Sequence, residues 1–171
     1  MDVPEAQLEE TEHGLVVKGD GWFVVNARDV RWYRTGDARI TNLGGDTRFE
    51  QVGVSIEMLG PGEPMACYHR EGDQEGFLVL RGSGTLVVEG EERPLRQWDF
   101  FHCPPGVAHV IVGGPIVVAA FGARQDDRTE YVGDPVAANY GAAPARATTD
   151  SREAYDGWER PTHTRYEGRL D

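Results

Sequence analysis

The chain has 171 residues, with 17 Lys and Arg against 29 Asp and Glu and a formal net charge of −12 at pH 7. That length suits one core with flanking segments, and the acidic balance excludes a general nucleic-acid or anionic-membrane binder, which needs a basic patch to offset phosphate. The 2 cysteines, Cys67 and Cys103, have no C-x-x-C spacing, which excludes a disulfide framework, a zinc ribbon and a thioredoxin-like motif.

Residues 1–13 read as a polar leader. They lack the basic start and apolar stretch of a secretory signal, and no run in the chain reaches membrane-spanning length. A cytoplasmic protein is the expectation. From Leu15 the signal becomes short β-branched and aromatic runs between turn residues. Leu15-Val16-Val17, Trp22-Phe23-Val24-Val25 and Val30-Arg31-Trp32-Tyr33 each predict a strand, and residues 41–47, with Gly44-Gly45, a loop. Residues 51–59 alternate, with Val52, Val54, Ile56 and Met58 on one face. Strands follow over 65–71 and 76–80, a turn at Arg81-Gly82-Ser83-Gly84, and a strand over 85–88. Gly90-Glu91-Glu92 predicts a hairpin turn. Further strands are expected near 93–95, 98–101, 109–112 and 116–121, with Gly113-Gly114-Pro115 turning the chain between the last two. Many short strands with glycine and proline turns, and no long amphipathic helix before Gly122, describe an all-β sandwich or barrel. Residues 14–122 are taken as that domain. Residues 123–171 carry Tyr131, Tyr140, Tyr155, Trp158 and Tyr166, too many aromatics for a solvated linker. They predict an extended tail laid on the barrel or on a partner subunit, with a short helix near 151–158.

Strand alternation places Cys67, His69 and Glu71 on one face, and Glu75, Phe77 and Val79 on the next strand's equivalent face. If those faces point into a barrel, His69, Glu71 and Glu75 meet in the lumen. His109 enters from a third strand after Pro104-Pro105-Gly106. Two imidazoles with one or two carboxylates suit a divalent transition metal, and the ligand types fit zinc, iron, manganese, nickel or copper alike. The competing view is a hydrogen-bonded buried polar cluster without metal. Glu71 is open between ligand, partner orienting His69, general base on bound water, and a carboxylate leaning to solvent.

These segments resemble the cupin superfamily, whose first motif reads G-x5-H-x-H-x(3,4)-E-x6-G and whose second reads G-x5-P-x-G-x2-H-x3-N. His69-x-Glu71-x3-Glu75-x6-Gly82 keeps the spacing of the first. Trp98-x5-Pro104-x-Gly106-x2-His109-x3-Gly113 keeps that of the second. Glu71 stands where the family's second histidine falls, Gly62 is one residue out of place, Trp98 replaces a glycine and Gly113 an asparagine. The resemblance covers roughly residues 50–122. It extends to small bacterial stand-alone cupins with Tyr-His-x-Glu and Trp-Asp-Phe-x-His-Cys-Pro-Pro-Gly segments. It implies a double-stranded β-helix, or jelly-roll barrel, with extended terminal segments, one divalent metal on His69, Glu71, Glu75 and His109, and a homodimer, which the apolar outer-face residues Leu78 and Leu80 also suggest.

The functional expectation is a metal-dependent enzyme of oxygenase, isomerase or lyase type acting on a small-molecule metabolite, dioxygenase-like chemistry favoured, with Glu71 as candidate base. The alternative is a non-catalytic small-molecule or metal sensor. Cys67, Cys103 and His102 are read as structural, His13 and His163 as exposed, and Trp98, Phe100 and Phe101 as core. Tyr68, out of phase with His69, should pack against an outer layer or a second subunit. Gly82-Ser83-Gly84 has no following helix and is no phosphate loop.

Overall fold

The computed structural model describes residues 3–47 and 49–168, so residues 1–2 of the expected leader and 169–171 of the expected tail lie outside the described residues. In chain order the strands are β1 (Gln7–Thr11), β2 (Gly14–Lys18), β3 (Trp32–Thr35), β4 (Ala38–Asn42), β5 (Val52–Leu59), β6 (His69–Glu71), β7 (Glu75–Val88), β8 (Glu91–Arg96), β9 (Phe100–Cys103), β10 (His109–Ala123) and β11 (Thr129–Tyr131). Two single-turn helices, α1 (Pro135–Ala138) and α2 (Ser151–Ala154), and strand β12 (Thr162–Thr164) complete the set. Every strand pair is antiparallel. Among the described residues no helix is long and apolar enough to cross a membrane.

The spine is β10. It pairs with β7 along most of its length, with β5 over Ile116–Ala123 and with β6 at the single position His109–His69. Strands β8 and β9 extend the sheet beyond β7, β4 and β3 extend it beyond β5, and the tail adds an edge at each side: β11 on β6 and β12 on β3. The result is an all-β double-stranded β-helix with short helices only in the tail. Its interior is filled at one end by Leu59, Phe77, Val79, Leu86, Leu95, Ile111, Ile116 and Val118.

Two expected turns are absent. Gly82-Ser83-Gly84 and Gly113-Gly114-Pro115 lie inside the long strands β7 and β10, where the pairing register shifts between Gly113 and Ile116. The glycines are there for close backbone approach. A Cβ on Gly82, whose φ is +77°, would lie 2.2 Å from the Pro115 carbonyl oxygen, and one on Gly113 would lie 2.1 Å from that of Gly60. Glycine here marks a bulge that curls a continuous ribbon.

Other differences are local. Residues 23–26 form no strand, and Val24 is 81% exposed. Residues 65–68 bend, so β6 is shorter than expected, while 38–42 form a strand. Residues 7–11, within the expected leader, pair with β2 yet stay largely exposed. The hairpin turn falls on Glu89-Gly90, both with positive φ. Trp98 and Phe100 are exposed, at 68% and 61%, and only Phe101 packs against the core.

The tail covers the barrel's outer surface. Tyr68, 2% exposed, packs with Val87, Val110 and Val112 against Ala137 and Ala142. The outer layer over Tyr68 is thus this chain's own tail. Ile56 and Met58 pack with Trp32, Val117 and Tyr166, so the apolar face of β5 turns away from the lumen. Its polar face, Ser55 and Glu57, turns into the cavity.

Candidate metal centre

Three strand ends converge at the open end of the barrel. β6 begins with His69, β7 with Glu75 and β10 with His109. The register sets His109 opposite His69 and Glu75 opposite Gly122. The Pro104-Pro105-Gly106 turn is tied to β6 by the Gly106 N–H, which donates to the Glu71 carbonyl at 2.8 Å. The next anchor is the Ala108 N–H, which donates to the Glu89 carboxylate at 2.6 Å. These two bonds fix the entry of His109 into β10.

Hydrogen bonding assigns the imidazole tautomers. His69 Nδ1 lies 2.7 Å from the Cys67 carbonyl oxygen, and His109 Nδ1 lies 3.2 Å from that of Val107. A carbonyl only accepts, so each Nδ1 carries the proton and donates. Each Nε2 is left with a free lone pair. This is how metal-binding histidines are usually oriented. The rings stand 5.1 Å apart, with Phe77 and Phe101 against His109 and Tyr131 against His69.

One ligand atom from each of His69, Glu75 and His109 lies within 4.8 Å of the others. Glu75 Oε2 sits 3.4 Å from His109 Nε2. That oxygen is buried and has no hydrogen-bond partner among the described residues, a costly state for a carboxylate unless something else meets it. Two lone pairs and an orphaned carboxylate oxygen fit a divalent cation. Glu71 lies outside this trio. Its carboxylate is 3.6 Å from His69 Nε2, and its side chain is 31% exposed.

The electrostatics match. Burial, then the charge of Glu71, pushes the Glu75 carboxyl up to about 7, although His69 opposes the rise. Burial, then His69, pulls His109 down to about 4, which keeps it neutral at neutral pH. Burial lowers His69, but its contacts with Glu71, the Cys67 carbonyl and Glu75 outweigh that and raise it on balance. Cys103, with Sγ 3.4 Å from His109 Nδ1, is pushed up to about 12 by burial and then by Glu75. It is a protonated neighbour of His109, not a thiolate. Cys67 is buried among Tyr131 and Ala154 rather than in the cluster.

The cavity above this trio measures about 530 Å³. Several of its residues escaped the sequence reading. Glu57 lines the wall, accepts a hydrogen bond from the Ser55 hydroxyl at 3.2 Å, and is pushed up to about 7 by burial. Tyr131 and Tyr155 from the tail, and Arg124 just past β10, also line it. The alternation in 51–59 draws attention to Val52, Val54, Ile56 and Met58 and does not single out Glu57 between them. Tyr131 and Tyr155 stand among the aromatics that predict a tail laid on the barrel, without their place in the cavity, and no sequence signal marks Arg124.

The profile of the cupin domain family matches residues 55–113, from Ser55 through Gly113, a stretch that contains His69, Glu75 and His109. An uncharacterized protein of Aquifex aeolicus (strain VF5) is 43% identical over 42 residues, which are 25% of this chain and 34% of that protein. The chain therefore matches about a third of that relative's length. A cupin protein from Bacteroides fragilis superposes with a TM-score of 0.50 at 20% identity, covering 61% of this chain and 84% of that one. A structure from Acidithiobacillus ferrooxidans ATCC 23270, described as a candidate sugar phosphate isomerase, has 26% identity and a TM-score of 0.46. It covers 54% of this chain and 63% of its own, just under two thirds. Residues 55–113 thus match the cupin domain family, and the barrel around them has the double-stranded β-helix fold of the Bacteroides fragilis cupin protein.

Proposed function

We propose that the chain binds one divalent transition-metal ion through His69, Glu75 and His109 and acts as a metal-dependent enzyme on a small-molecule metabolite. The observation that carries this reading is the buried, unpartnered Glu75 Oε2 facing two imidazoles whose Nε2 lone pairs are free. When bound, such an ion supplies Lewis acidity to a substrate oxygen and acidifies bound water.

The chain's own groups supply the rest. Phe77, Ile111 and Ala120 dry one side of the cavity, which strengthens polar interactions inside it. Glu71, beside His69 and partly open to the cavity, is placed either to complete the ligand set or to accept a proton from substrate. Glu57, held by Ser55 on the wall and pushed up to about 7, exchanges its proton near neutral pH, the condition for general acid–base work. The oxygenase, isomerase and lyase types all remain within this reading, because the superfamily fold does not select a reaction.

The test is elemental analysis of protein purified without added metal, beside His69→Ala and His109→Ala. The wild type should carry close to one equivalent and both variants should lose it. Equal content in all three would overturn the site. Loaded protein should also melt higher than stripped protein, by about 2.7 kcal/mol of stability at a free metal concentration one hundred times its Kd.

A homodimer is proposed on separate ground. The Phe100 ring lies over Gly76, whose register partner is Phe121, and both phenylalanines are exposed. Sedimentation velocity checks it: Phe100→Ser should shift a dimer towards monomer.

A further inference from the structure

Three backbone positions lie side by side at the mouth of the barrel. Glu75 pairs with Gly122, and Gly122 pairs with Gly53. The middle and far positions carry no side chain. A Cβ on Gly122 would meet nothing within 4 Å, and both glycines line the cavity. Two adjacent glycines on neighbouring strands leave a bare backbone floor beside the proposed metal ligand.

Arg124 closes the far side of that floor. Its guanidinium lies over Gly53, so close that a Cβ there would stand 2.7 Å from Nη2 and 2.8 Å from Nε. Arg124 is half-buried and lines the cavity. Among the described residues its side chain has no hydrogen-bond or ion-pair partner. The acids on the same wall are engaged elsewhere. Asp126 is paired with Arg128, and Asp73 accepts from the Gln125 and Asp126 amides. Asp127, the remaining one, is exposed. A half-buried arginine left unpaired in a strongly acidic chain is the exception here, and its planar fork matches an oxyanion.

We infer that Arg124 is the anchoring residue for a substrate carboxylate, and that the substrate lies along the Gly122–Gly53 floor with an oxygen at its other end reaching the His69–Glu75–His109 centre. Two strand spacings separate Glu75 from Gly53, about 10 Å between backbones, which the inward-reaching side chains shorten. That span suits a small hydroxy or oxo acid of a few carbons. One unpaired cation among the described residues, in a cavity already lined by Glu57, Glu71 and Glu75, suits a single negative charge. This inference rests on the proposed metal reading and adds its substrate class.

The experiment is calorimetric titration of metal-loaded protein with 4-hydroxybutyrate and with its neutral amide, on wild type, Arg124→Gln and Gly122→Val. Metal content is measured on every sample. The acid should bind at least tenfold tighter than the amide to wild type. Arg124→Gln should abolish that preference and leave amide binding and metal content unchanged. Gly122→Val, which keeps the arginine but fills the floor, should weaken both probes with metal retained. Equal binding of acid and amide by wild type, absence of acid binding up to millimolar concentration, or an Arg124→Gln variant that still prefers the acid would overturn the anchor. If those failures occur with full metal content, the anchor alone falls. Absence of metal from wild type instead sinks the parent reading, and the acid–amide preference measured on the same sample still decides the anchor.

Discussion

A hydrogen bond to a backbone carbonyl decides which imidazole nitrogen is free. Nδ1 of His69 and of His109 are both spent on carbonyls, so the arrangement needs no ion to hold it, and its cost is the buried carboxyl of Glu75. Glu57 adds a second such cost. Its carboxyl rises from an ordinary 4.5 to about 7, mainly through burial. In the interval between those values the folded state holds a proton that the unfolded state has lost, so stability falls as pH climbs and the full penalty applies above about 7. Metal-stripped Glu57→Gln should therefore be more stable than stripped wild type at pH 8, by about 3 kcal/mol. Thermal melts at pH 8 and pH 5 check this, and the gap should narrow to under about 1 kcal/mol at pH 5. His69, Glu75 and His109 were readable as a group because their spacing matches a known motif. Glu57 was not, because a run of Val, Ile and Met on one side of a strand looks like a core face whichever way the strand is turned.

Strand ends carry the chemistry, and strand middles carry the shape. β7 and β10 each run through a glycine-rich bend without breaking, which lets one ribbon serve both halves of the barrel. Glycine signals a turn and a bulge alike, and only the partner strand distinguishes them. This is why the two central strands were read as four. Gly82→Ala tests the bend. With φ at +77° and the Pro115 carbonyl in the way, the variant should lose at least about 2 kcal/mol in urea denaturation. The same change at Gly122, where the space is open, should cost little.

At the scale of the molecule, the tail completes the barrel rather than trailing from it. Residues after Ala123 contribute β11 and β12, bury Tyr68 beneath Ala137 and Ala142, and bring Tyr155 to accept from the Cys67 amide at 3.2 Å. Trp32, fully buried against Met58 and Val117, anchors the opposite flank. Trp32→Ala should cost about 3–5 kcal/mol by chemical denaturation. A chain ending at Ala123 should melt lower and bind hydrophobic dye, because Tyr68, Val87 and Val110 lose their cover. The short-strand composition was enough to read an all-β barrel. The aromatic count marks the tail as a packing candidate, but its path depends on pairing across more than sixty positions, as between Tyr131 and His69, which local pattern does not encode.

That pairing has a consequence for the ion. The β6 segment is only three residues long, touches β10 at one position, takes one bond from Gly106 at its Glu71 end, and pairs along its other edge with Thr129–Tyr131. The imidazole at position 69 is thus mounted on a hinge pin supplied by the tail. On the proposed reading, whatever loosens or grips the C-terminal third from outside would retune how tightly a cation is held there. Reciprocally, loading the protein should slow amide exchange at residues 129–131, far along the chain from any nitrogen or oxygen that touches the ion.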